Sequence, residues 1–319
     1  MLLDTKLVEE SDLQQIQKAL GAESSLFSQI ADSCSNKLKY SIIARKQNDI
    51  AGFAVFEKLL WDTEHFGINI GRIKEIVSAG GYEEALAAND AMLKFIEKRC
   101  SQEGFSCVYC RVDINDSSSI HSLESNGFRM IDALITLRFD FTESITLQDL
   151  SKARDSIPEG GKVIVRPWGK GDLEELARIA GTSYEYDRFH SDPAFPRDKS
   201  DELHGRWIVN CCNGLADEVL VATSDKLRGF ITCKINDSLG IIDMVGVLKD
   251  AQRKGIGTIL VYEALQWFKD KVNCVDIGTQ NRNIPALRLY INAGFKPISS
   301  RLTFHKWFTR PIPAFARTR

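Results

Sequence analysis

An internal repeat is the feature that most restricts the fold of this chain of 319 residues. One gap-free offset superposes Gly127-Phe128 on Gly294-Phe295 and Cys107-Val108 on Cys274-Val275. The same offset aligns predicted elements of the same type, in the order strand, helix, Gly-Phe and strand. Chance matching of a few glycines would not preserve this order, so the repeat indicates duplication.

The repeat predicts two copies of one α/β unit. Each copy mixes hairpins with a strand-helix-strand segment, and a polar connector at 142–161 separates the copies. We therefore predict an N-terminal domain at 1–150 and a C-terminal domain at 151–319. A chain of this length allows each domain to bury its own core.

Composition and charge exclude several partners. The formal net charge is −2 and the basic residues are dispersed, which gives no reason to expect nucleic acid or an anionic membrane surface. No apolar stretch is long enough for a membrane span, and the N-terminus lacks the regions of a signal peptide. Eight cysteines, mostly within apolar patterns, favour free thiols in a reducing cytoplasm.

One cysteine pair has the spacing of half a zinc site. Cys107 and Cys110 lie on a predicted strand, however, where residues three apart point to opposite faces. No second pair follows at ligand spacing, so we predict no metal.

The C-terminal copy contains a glycine loop between a predicted strand, 240–247, and a predicted helix, 259–268. Glycines permit close approach of a ligand to the backbone, and the free amides and dipole of a helix N-terminus attract anions. An ordinary turn with solvated basic residues is the alternative. The predicted anion site comprises Gln252, Arg253, Lys254, Gly255, Ile256, Gly257 and Thr258.

A second motif follows the next predicted strand. An Asn-rich turn, 281–283, caps a predicted helix at 284–293, and Gly294 ends it. The two motifs together resemble the Gln/Arg-x-x-Gly-x-Gly/Ala loop and the Leu-Tyr-x-x-x-Gly-Phe segment of the GNAT N-acetyltransferases. The resemblance implies tandem GNAT-like folds in which the C-terminal copy binds acetyl-CoA.

The resemblance also assigns roles to individual residues. The strand edge at Val245 and Val247 is expected to pair with the pantetheine arm, and Asn283 is expected to belong to the acetyl-CoA site. Backbone N–H groups on this strand would bind the thioester oxygen, with Gly246 permitting a bulge. The N-terminal copy is expected to be degenerate, because Leu123 aligns with Tyr290 and a helical stretch, 85–89, aligns with the glycine loop.

Acetyl transfer requires an acid for the departing thiolate, and Tyr290 is the candidate. Phenol and thiol pKa values differ by only ~1.5 units, so the proton transfer is nearly thermoneutral. No residue is assigned as the base, and a water relay is one solution. Asp243 alternates with apolar neighbours on the strand before the loop. It could act as a base, but such a residue is more often an edge or surface charge, and it is left out of the catalytic set.

The order of segments along the chain further resembles the dTDP-fucosamine N-acetyltransferases of bacterial surface-polysaccharide synthesis. This resemblance implies that the acceptor is a nucleotide-linked amino sugar. Extensions at both ends of the chain leave the particular sugar open. Two segments are predicted to lie outside regular helices, a polar-aromatic loop at 61–67 and an irregular aromatic, charged stretch at 184–204. The predicted substrate-binding residues lie in these two segments and are Trp61, His65, Phe66, Arg188, Phe189 and His190.

Other interpretations stay open. The first segment is equally consistent with a loop staple, and Arg188 and His190 with solvated charges. A separate alternative is a GNAT enzyme whose acceptor amine belongs to a protein, a peptide or an aminoglycoside. A protein substrate would favour an open acidic groove, whereas a nucleotide-linked sugar would favour arginine and aromatic residues over the cleft. A non-catalytic acyl-CoA-binding module is a third reading, and a homodimer is left open.

Overall fold

The computed structural model describes residues 3–21, 23–142 and 163–308. The chain divides into two compact units, one comprising Met1–Asp132 with Arg301–Arg319 and the other Ala133–Ser300. The predicted boundary between residues 150 and 151 lies outside the described residues.

The first unit is a mixed sheet with helices. Its strands lie in the order β1-β2-β3-β4-β5-β13, in which β4 and β5 are parallel. The strands are β1 Asp4–Leu7, β2 Lys39–Lys46, β3 Asp49–Lys58, β4 Ile70–Ser78, β5 Cys107–Asp113 and β13 Lys296–Trp307. The helices are α1 Leu13–Leu20, α2 Ser25–Ser35, α3 Leu60–Phe66, α4 Tyr82–Gln102 and α5 Ser117–Ser125.

The second unit repeats this arrangement. Its strands lie in the order β6-β12-β10-β9-β8-β7, and β11 also pairs with β9. The strands are β6 Arg129–Asp140, β7 Ile164–Pro167, β8 Glu218–Thr223, β9 Leu227–Asn236, β10 Leu239–Ile242, β11 Val245–Val247 and β12 Cys274–Gln280. The helices are α6 Leu173–Ser183, α7 Arg188–Ser191, α8 Arg197–Asn210, α9 Ile256–Phe268 and α10 Ile284–Asn292.

Each unit completes its sheet with a strand from the other repeat. In the first unit, the Arg301–Trp307 part of β13 pairs antiparallel with β5. In the second, Leu134–Asp140 of β6 pairs antiparallel with β12. The repeats have therefore exchanged their last strands, which the offset between the copies does not reveal.

The duplication is visible in matching hydrogen bonds where α5 and α10 end. The amide of Phe128 donates to the carbonyl of Leu123 at 2.9 Å, and that of Phe295 donates to the carbonyl of Tyr290 at 3.0 Å. The glycine before each phenylalanine has a positive φ, 79° at Gly127 and 91° at Gly294. Both helices thus end in the same glycine-dependent motif, and the predicted α/β repeat is confirmed.

Three local predictions were wrong. Residues 61–66 form helix α3 rather than a loop, and Gly67 ends this helix with a φ of 71°. The stretch 184–204, predicted as irregular, contains α7 and the first half of α8. The predicted strand 240–247 is two strands, β10 and β11, separated by two residues.

Each unit has its own apolar core. In the second unit the core lies under α9, whose Ile259, Leu260 and Leu265 are fully buried against the sheet. Among the described residues, no helix is both long enough and apolar enough to cross a bilayer.

Candidate active site

The second unit's sheet splits where β10 gives way to β11. Strand β10 pairs with β9 on one side and, up to Ile242, with parallel β12 on the other. The register on β9 then changes: Ile241 lies opposite Lys234, whereas Val245 lies opposite Ile231. The extra residue forms a bulge at Asp243 and Met244 rather than at Gly246, where the sequence had suggested one. Beyond it, β11 has no recorded strand partner on its β12 side within the described part of the chain.

The open edge of β11 presents amide donors. The Met244 carbonyl accepts a hydrogen bond from the Thr232 amide, and the Leu248 amide donates to the Arg228 carbonyl, so the peptide groups of both residues face β9. Because peptide groups alternate along a strand, those of Val245 and Val247 face the open side. The carbonyl of Val245 accepts from the Tyr184 hydroxyl at 3.2 Å, and that of Val247 from Gln252 Nε2 at 3.1 Å. The N–H groups of these two valines are therefore the donors that this edge offers to a ligand.

The glycine loop leads from this edge to the N-terminus of α9. Arg253 and Gly255 have positive φ angles of 60° and 84°, and the helix begins at Ile256, three residues earlier than predicted. The N–H groups of the first helical turn, including those of Ile256, Gly257 and Thr258, have no acceptor within the helix. Arg253 and Lys254 are exposed beside them. This geometry fits an anionic group such as a pyrophosphate.

Gly257 has a structural role besides any contact with a ligand. A Cβ atom at this position would lie 3.0 Å from Leu289 Cδ2 on α10. The glycine thus allows α9 and α10 to approach closely. Its place in the motif does not by itself require a ligand.

A cavity of about 80 Å³ lies at the other end of the open edge. It lies wholly within the second unit. Val245 and Asn283 of the predicted acetyl-CoA site line it, together with Tyr290. Its lining is Ser183, Tyr184, Glu185, Tyr186, Asp187, Ile242, Asp243, Val245, Ile277, Gly278, Thr279, Gln280, Asn283 and Tyr290.

Tyr290 lies on α10 with 6% of its surface exposed. Burial raises the pKa of its hydroxyl, so the phenol keeps its proton at neutral pH. Within the described residues no hydrogen bond partner is recorded for this hydroxyl. Asn283 caps the same helix, accepting from the Ala286 amide at 3.3 Å, and donates to Thr279 Oγ1 at 3.2 Å. The cap fixes the start of the helix that carries Tyr290.

Asp187 lines the cavity and contacts two histidines, of which His204 places its Nε2 3.6 Å from Asp187 Oδ2. Its Oδ1 accepts from the amides of Phe189 and His190 at 2.8 and 3.2 Å, and its Oδ2 makes a short hydrogen bond with His190 Nδ1. His190 Nε2 lies 2.8 Å from Asp201 Oδ1. Burial disfavours the charged form of His190, but these two carboxylates outweigh it and raise the pKa. For Asp187 burial again opposes ionisation, and the histidines still lower its pKa to about 2.

Asp187, His190 and His204 bring potential metal-ligand atoms within 4.8 Å of one another. Both ring nitrogens of His190 face carboxylates, so both carry protons and neither has a lone pair for a metal. His204 Nδ1 donates to the carbonyl of Ser200 at 3.1 Å, and burial lowers its pKa. The geometry fits a proton-sharing cluster better than a metal site.

The predicted substrate residues lie apart from this cavity lining. In the second unit, the Arg188 guanidinium lies 3.8 Å from the ring centroid of Phe189 and is largely buried. The five residues that precede Arg188, 183–187, line the cavity instead. In the first unit, Trp61 and His65 stack at 6.1 Å on α3, and His65 and Phe66 are buried.

The first unit has the split sheet but not the anion site. Strand β4 pairs with β5 only over Ile70–Ile73, and its register on β3 shifts at the following residue. Helix α4 then starts after Gly80-Gly81 with Glu83 and Glu84 in its first turn, and Glu84 accepts from the Gly81 amide at 3.4 Å. The stretch 85–89 lies within this helix. Acidic residues at its N-terminus disfavour a pyrophosphate.

Comparisons with known proteins agree with this geometry. Residues 174–295 match the model of the acetyltransferase (GNAT) family, whose members use acyl-CoA. The chain is 30% identical to the spore coat polysaccharide biosynthesis protein SpsD of Bacillus subtilis (strain 168), over 43% of this chain and 48% of SpsD. It is 29% identical to streptothricin acetyltransferase A of the same organism, over 35% of this chain and 64% of that protein.

Solved structures resemble the chain over almost its whole length. A GCN5-related N-acetyltransferase from Sphaerobacter thermophilus has a TM-score of 0.62 at 14% identity, covering 97% of this chain and 96% of that one. A tandem GNAT protein from the clavulanic acid biosynthesis pathway has a TM-score of 0.58 at 11% identity, covering 98% and 100%. The predicted fold, α/β with tandem GNAT-like units, is confirmed. The match of residues 174–295 to the acetyltransferase (GNAT) family agrees with the predicted enzyme class.

The likeness to curated proteins is partial. The chain spans between 33% and 64% of the length of the curated relatives described by this comparison. Its reaction and substrates are therefore matters for proposal.

Proposed function

We propose that this chain transfers an acetyl group from acetyl-CoA to the amine of a nucleotide-linked amino sugar, of the dTDP-amino-deoxyhexose type, for surface-polysaccharide synthesis. One observation carries the proposal. The open edge of β11 extends from Val247, held by Gln252 of the glycine loop, to Val245 in the cavity with Tyr290.

Acetyl-CoA fits this edge from end to end. Its pyrophosphate would bind the amides of the first turn of α9, with Arg253 and Lys254 adding positive charge. Its pantetheine arm would lie along β11 as an added strand. The N–H of Val245 would then donate to the thioester oxygen, where negative charge develops during attack.

Tyr290 would protonate the departing thiolate. Burial raises the pKa of the tyrosine, and the same cavity disfavours a thiolate in its charged form. The two effects raise the pKa values of the phenol and of the thiol together, so the proton transfer between them stays nearly thermoneutral.

The cavity suits an amine. The acidic residues Glu185, Asp187 and Asp243 are among those that line it, and anionic groups attract an ammonium ion. The name of SpsD, a spore coat polysaccharide biosynthesis protein, supports a sugar as the carrier of that amine.

The nucleotide would bind outside the cavity, beside Arg188, Phe189 and His190 of the second unit. The assignment of Trp61, His65 and Phe66 to the substrate site stays a prediction. Arg188 would offer a planar fork to the diphosphate. A cytoplasmic setting fits the eight cysteines, and a homodimer stays open.

A second candidate function is acetylation of another amine. Streptothricin acetyltransferase A is a relative, and the acidic lining would accept any ammonium of suitable shape. A non-catalytic acyl-CoA-binding module is less well supported, because it would need neither a buried Tyr290 nor a cavity beside the open edge.

Turnover on a panel of amines tests the proposal. Acetyl-CoA would be mixed with dTDP- and UDP-linked amino sugars, the free amino sugars, streptothricin and short peptides, and thiol release and product mass would be measured. We expect a dTDP-linked amino-deoxyhexose to have a kcat/KM about 100-fold above that of the free sugar. Equal rates for the linked and free sugars would refute the nucleotide-sugar assignment, and preference for streptothricin or a peptide would favour the second candidate.

A further inference from the structure

Three acidic residues line the cavity, and the carboxyl groups of two of them have protein partners. Glu185 Oε1 lies 2.7 Å from Lys249 Nζ. Asp187 accepts from two amides and from His190. Within the described residues, 3–21, 23–142 and 163–308, no hydrogen bond or ion pair is recorded for the third, Asp243. It is therefore the carboxylate with unused capacity to accept a proton from a ligand.

The bulge places Asp243 at the start of the open edge. The residue follows β10 directly and precedes Val245 by two positions. Two residues of extended chain span about 6.5 Å. An amine attacking a thioester carbon held at the Val245 N–H would thus lie within reach of the Asp243 carboxylate.

The surroundings of Asp243 favour proton uptake without preventing ionisation. Burial raises the pKa of its carboxyl group, and Lys234 on β9 acts in the opposite direction. By its accessible surface the residue is nevertheless exposed, which lets its proton return to solvent. The titratable groups around it or lining the same cavity are Lys234, Cys211, Tyr184, Glu185, Tyr186, Asp187 and Tyr290.

The other candidates for this role are weaker. Asp187 is held as an anion with a pKa of about 2, which makes it a poor base. His204 is buried and does not line the cavity. The Tyr290 phenol carries its proton and is an acid rather than a base at neutral pH.

We infer that Asp243 is the group that accepts the proton of the acceptor's ammonium ion and so produces the neutral amine that attacks the thioester. This role rests on the proposed acetyl transfer but not on the identity of the sugar. It differs from the sequence-based interpretation of Asp243 as a surface charge, because the pattern of alternation does not reveal the bulge.

The step balances. The ammonium nitrogen starts with three protons, and Asp243 takes the first. The neutral amine forms the N–C bond, and the C–S bond breaks as the tetrahedral intermediate collapses. Tyr290 gives a proton to the departing thiolate, and the second proton lost by the nitrogen restores the Tyr290 phenol. The amide keeps the third proton, and the net reaction releases one proton to solvent.

The pH dependence of Asp243→Asn tests this role. Near pH 7 we expect kcat/KM for the acceptor to fall by about 10²- to 10⁴-fold, the range for loss of a general base. The deficit should shrink as the pH rises, because the fraction of neutral amine grows tenfold per unit. Above the pKa of the amine, the variant should approach the wild-type rate within about threefold. A ratio that stays constant with pH would overturn the assignment.

A second acceptor gives an independent readout. An O-alkyl hydroxylamine is already neutral at pH 7, so the variant should acetylate it at nearly the wild-type rate. An equal loss on this amine would indicate that Asp243 acts through position rather than as a base. Acetyl-CoA affinity and melting temperature, both expected to be unchanged, would identify a variant that fails to fold.

The matched control is Asp237→Asn. Asp237 is exposed in the β9–β10 turn with a φ of 54°, a conformation that asparagine adopts readily. This variant should match the wild type at every pH. If the wild type acetylates other amines but no nucleotide sugar, the proposed acceptor fails while the test of Asp243 proceeds on those amines. If it acetylates none, both proposals fail.

Discussion

The Tyr184 hydroxyl donates a hydrogen bond of 3.2 Å to the carbonyl oxygen of Val245 on the open edge of β11. The Tyr184 ring stacks on His204, with ring centroids 4.2 Å apart and an interplanar angle of 8°. Through these two contacts, Tyr184 connects the proton-sharing cluster of Asp187, His190 and His204 to the strand that is proposed to bind the thioester.

Loss of this hydrogen bond should weaken catalysis more than the fold. Tyr184→Phe keeps the ring stack but leaves the Val245 carbonyl without its side-chain donor. A net hydrogen bond contributes about 0.5–1.5 kcal/mol, so we expect kcat/KM for acetyl-CoA to fall by about 2- to 10-fold. Steady-state kinetics with Tyr82→Phe as an exposed control in the first unit would measure this. A lower melting temperature with unchanged kinetics would contradict it.

Acetyl-CoA should bind only the second unit. Calorimetry should show one site per chain, and Lys254→Glu should weaken it by about tenfold or more through charge reversal beside the pyrophosphate. Gly257→Glu should abolish binding, although contact with Leu289 also threatens the packing of α9 on α10. Lys254 is exposed, so its variant separates the two effects.

The matched control lies at the start of α4. Gly81→Glu places a carboxylate at the helix that follows the first unit's split strand, and a Cβ there meets nothing within 4 Å. Its affinity for acetyl-CoA should equal that of the wild type. Two sites of similar affinity, or an effect of Gly81→Glu on binding, would show that the first unit is not degenerate.

The ion pairs of His190 with Asp187 and Asp201 should make the free energy of unfolding depend on pH. Its pKa is raised in the folded state, so its contribution is fully present below the unfolded value of about 6.5 and is lost as pH rises through the folded value. Urea unfolding of the wild type and His190→Gln, compared across this window, should show a difference that is largest at low pH. A pH-independent difference would mean that His190 is not charged in the fold.

The sequence predicted the parts of this fold that local patterns determine. Gly127 and Gly294 mark helix ends because only glycine adopts their conformation at little cost, and this revealed the repeat. The exchange of last strands was not predictable, because the residues of β6 and β13 do not specify which strand edge they join. The bulge was hidden as well, since Asp243 and Met244 continue the apolar alternation of a single strand. Helix α3 was missed because seven residues are too few to show a helical period, although Gly67 marked its end.

For the site as well, local sequence patterns indicate some residues, whereas others come together only in the fold. The glycine loop and Tyr290 could be proposed from the sequence because each belongs to a motif with a fixed spacing. Tyr184 and Asp187 were not proposed, and Asp243 was interpreted as a surface charge, because these residues meet only through the fold, from the end of α6, the start of α7 and the bulge of the sheet.

Tyr290 distinguishes an enzyme from a binding module. If its hydroxyl protonates the thiolate, Tyr290→Phe should retain acetyl-CoA affinity but lower kcat by about 10²- to 10⁴-fold. Because burial raises its pKa, no loss of activity below pH 10 should arise from its ionisation. No hydrogen bond to the hydroxyl is recorded in the described residues, so removing the oxygen should change the melting temperature little.

The comparison requires conditions in which chemistry limits turnover, established by single-turnover measurements. Tyr82→Phe again provides a control, because that tyrosine is exposed in the first unit. If the thiolate instead took its proton from water, Tyr290→Phe would keep more than about half of the wild-type kcat. That result would leave the open edge of β11 and the cavity as a site for acetyl-CoA and an amine, with Tyr290 serving only to pack α10 against Phe295.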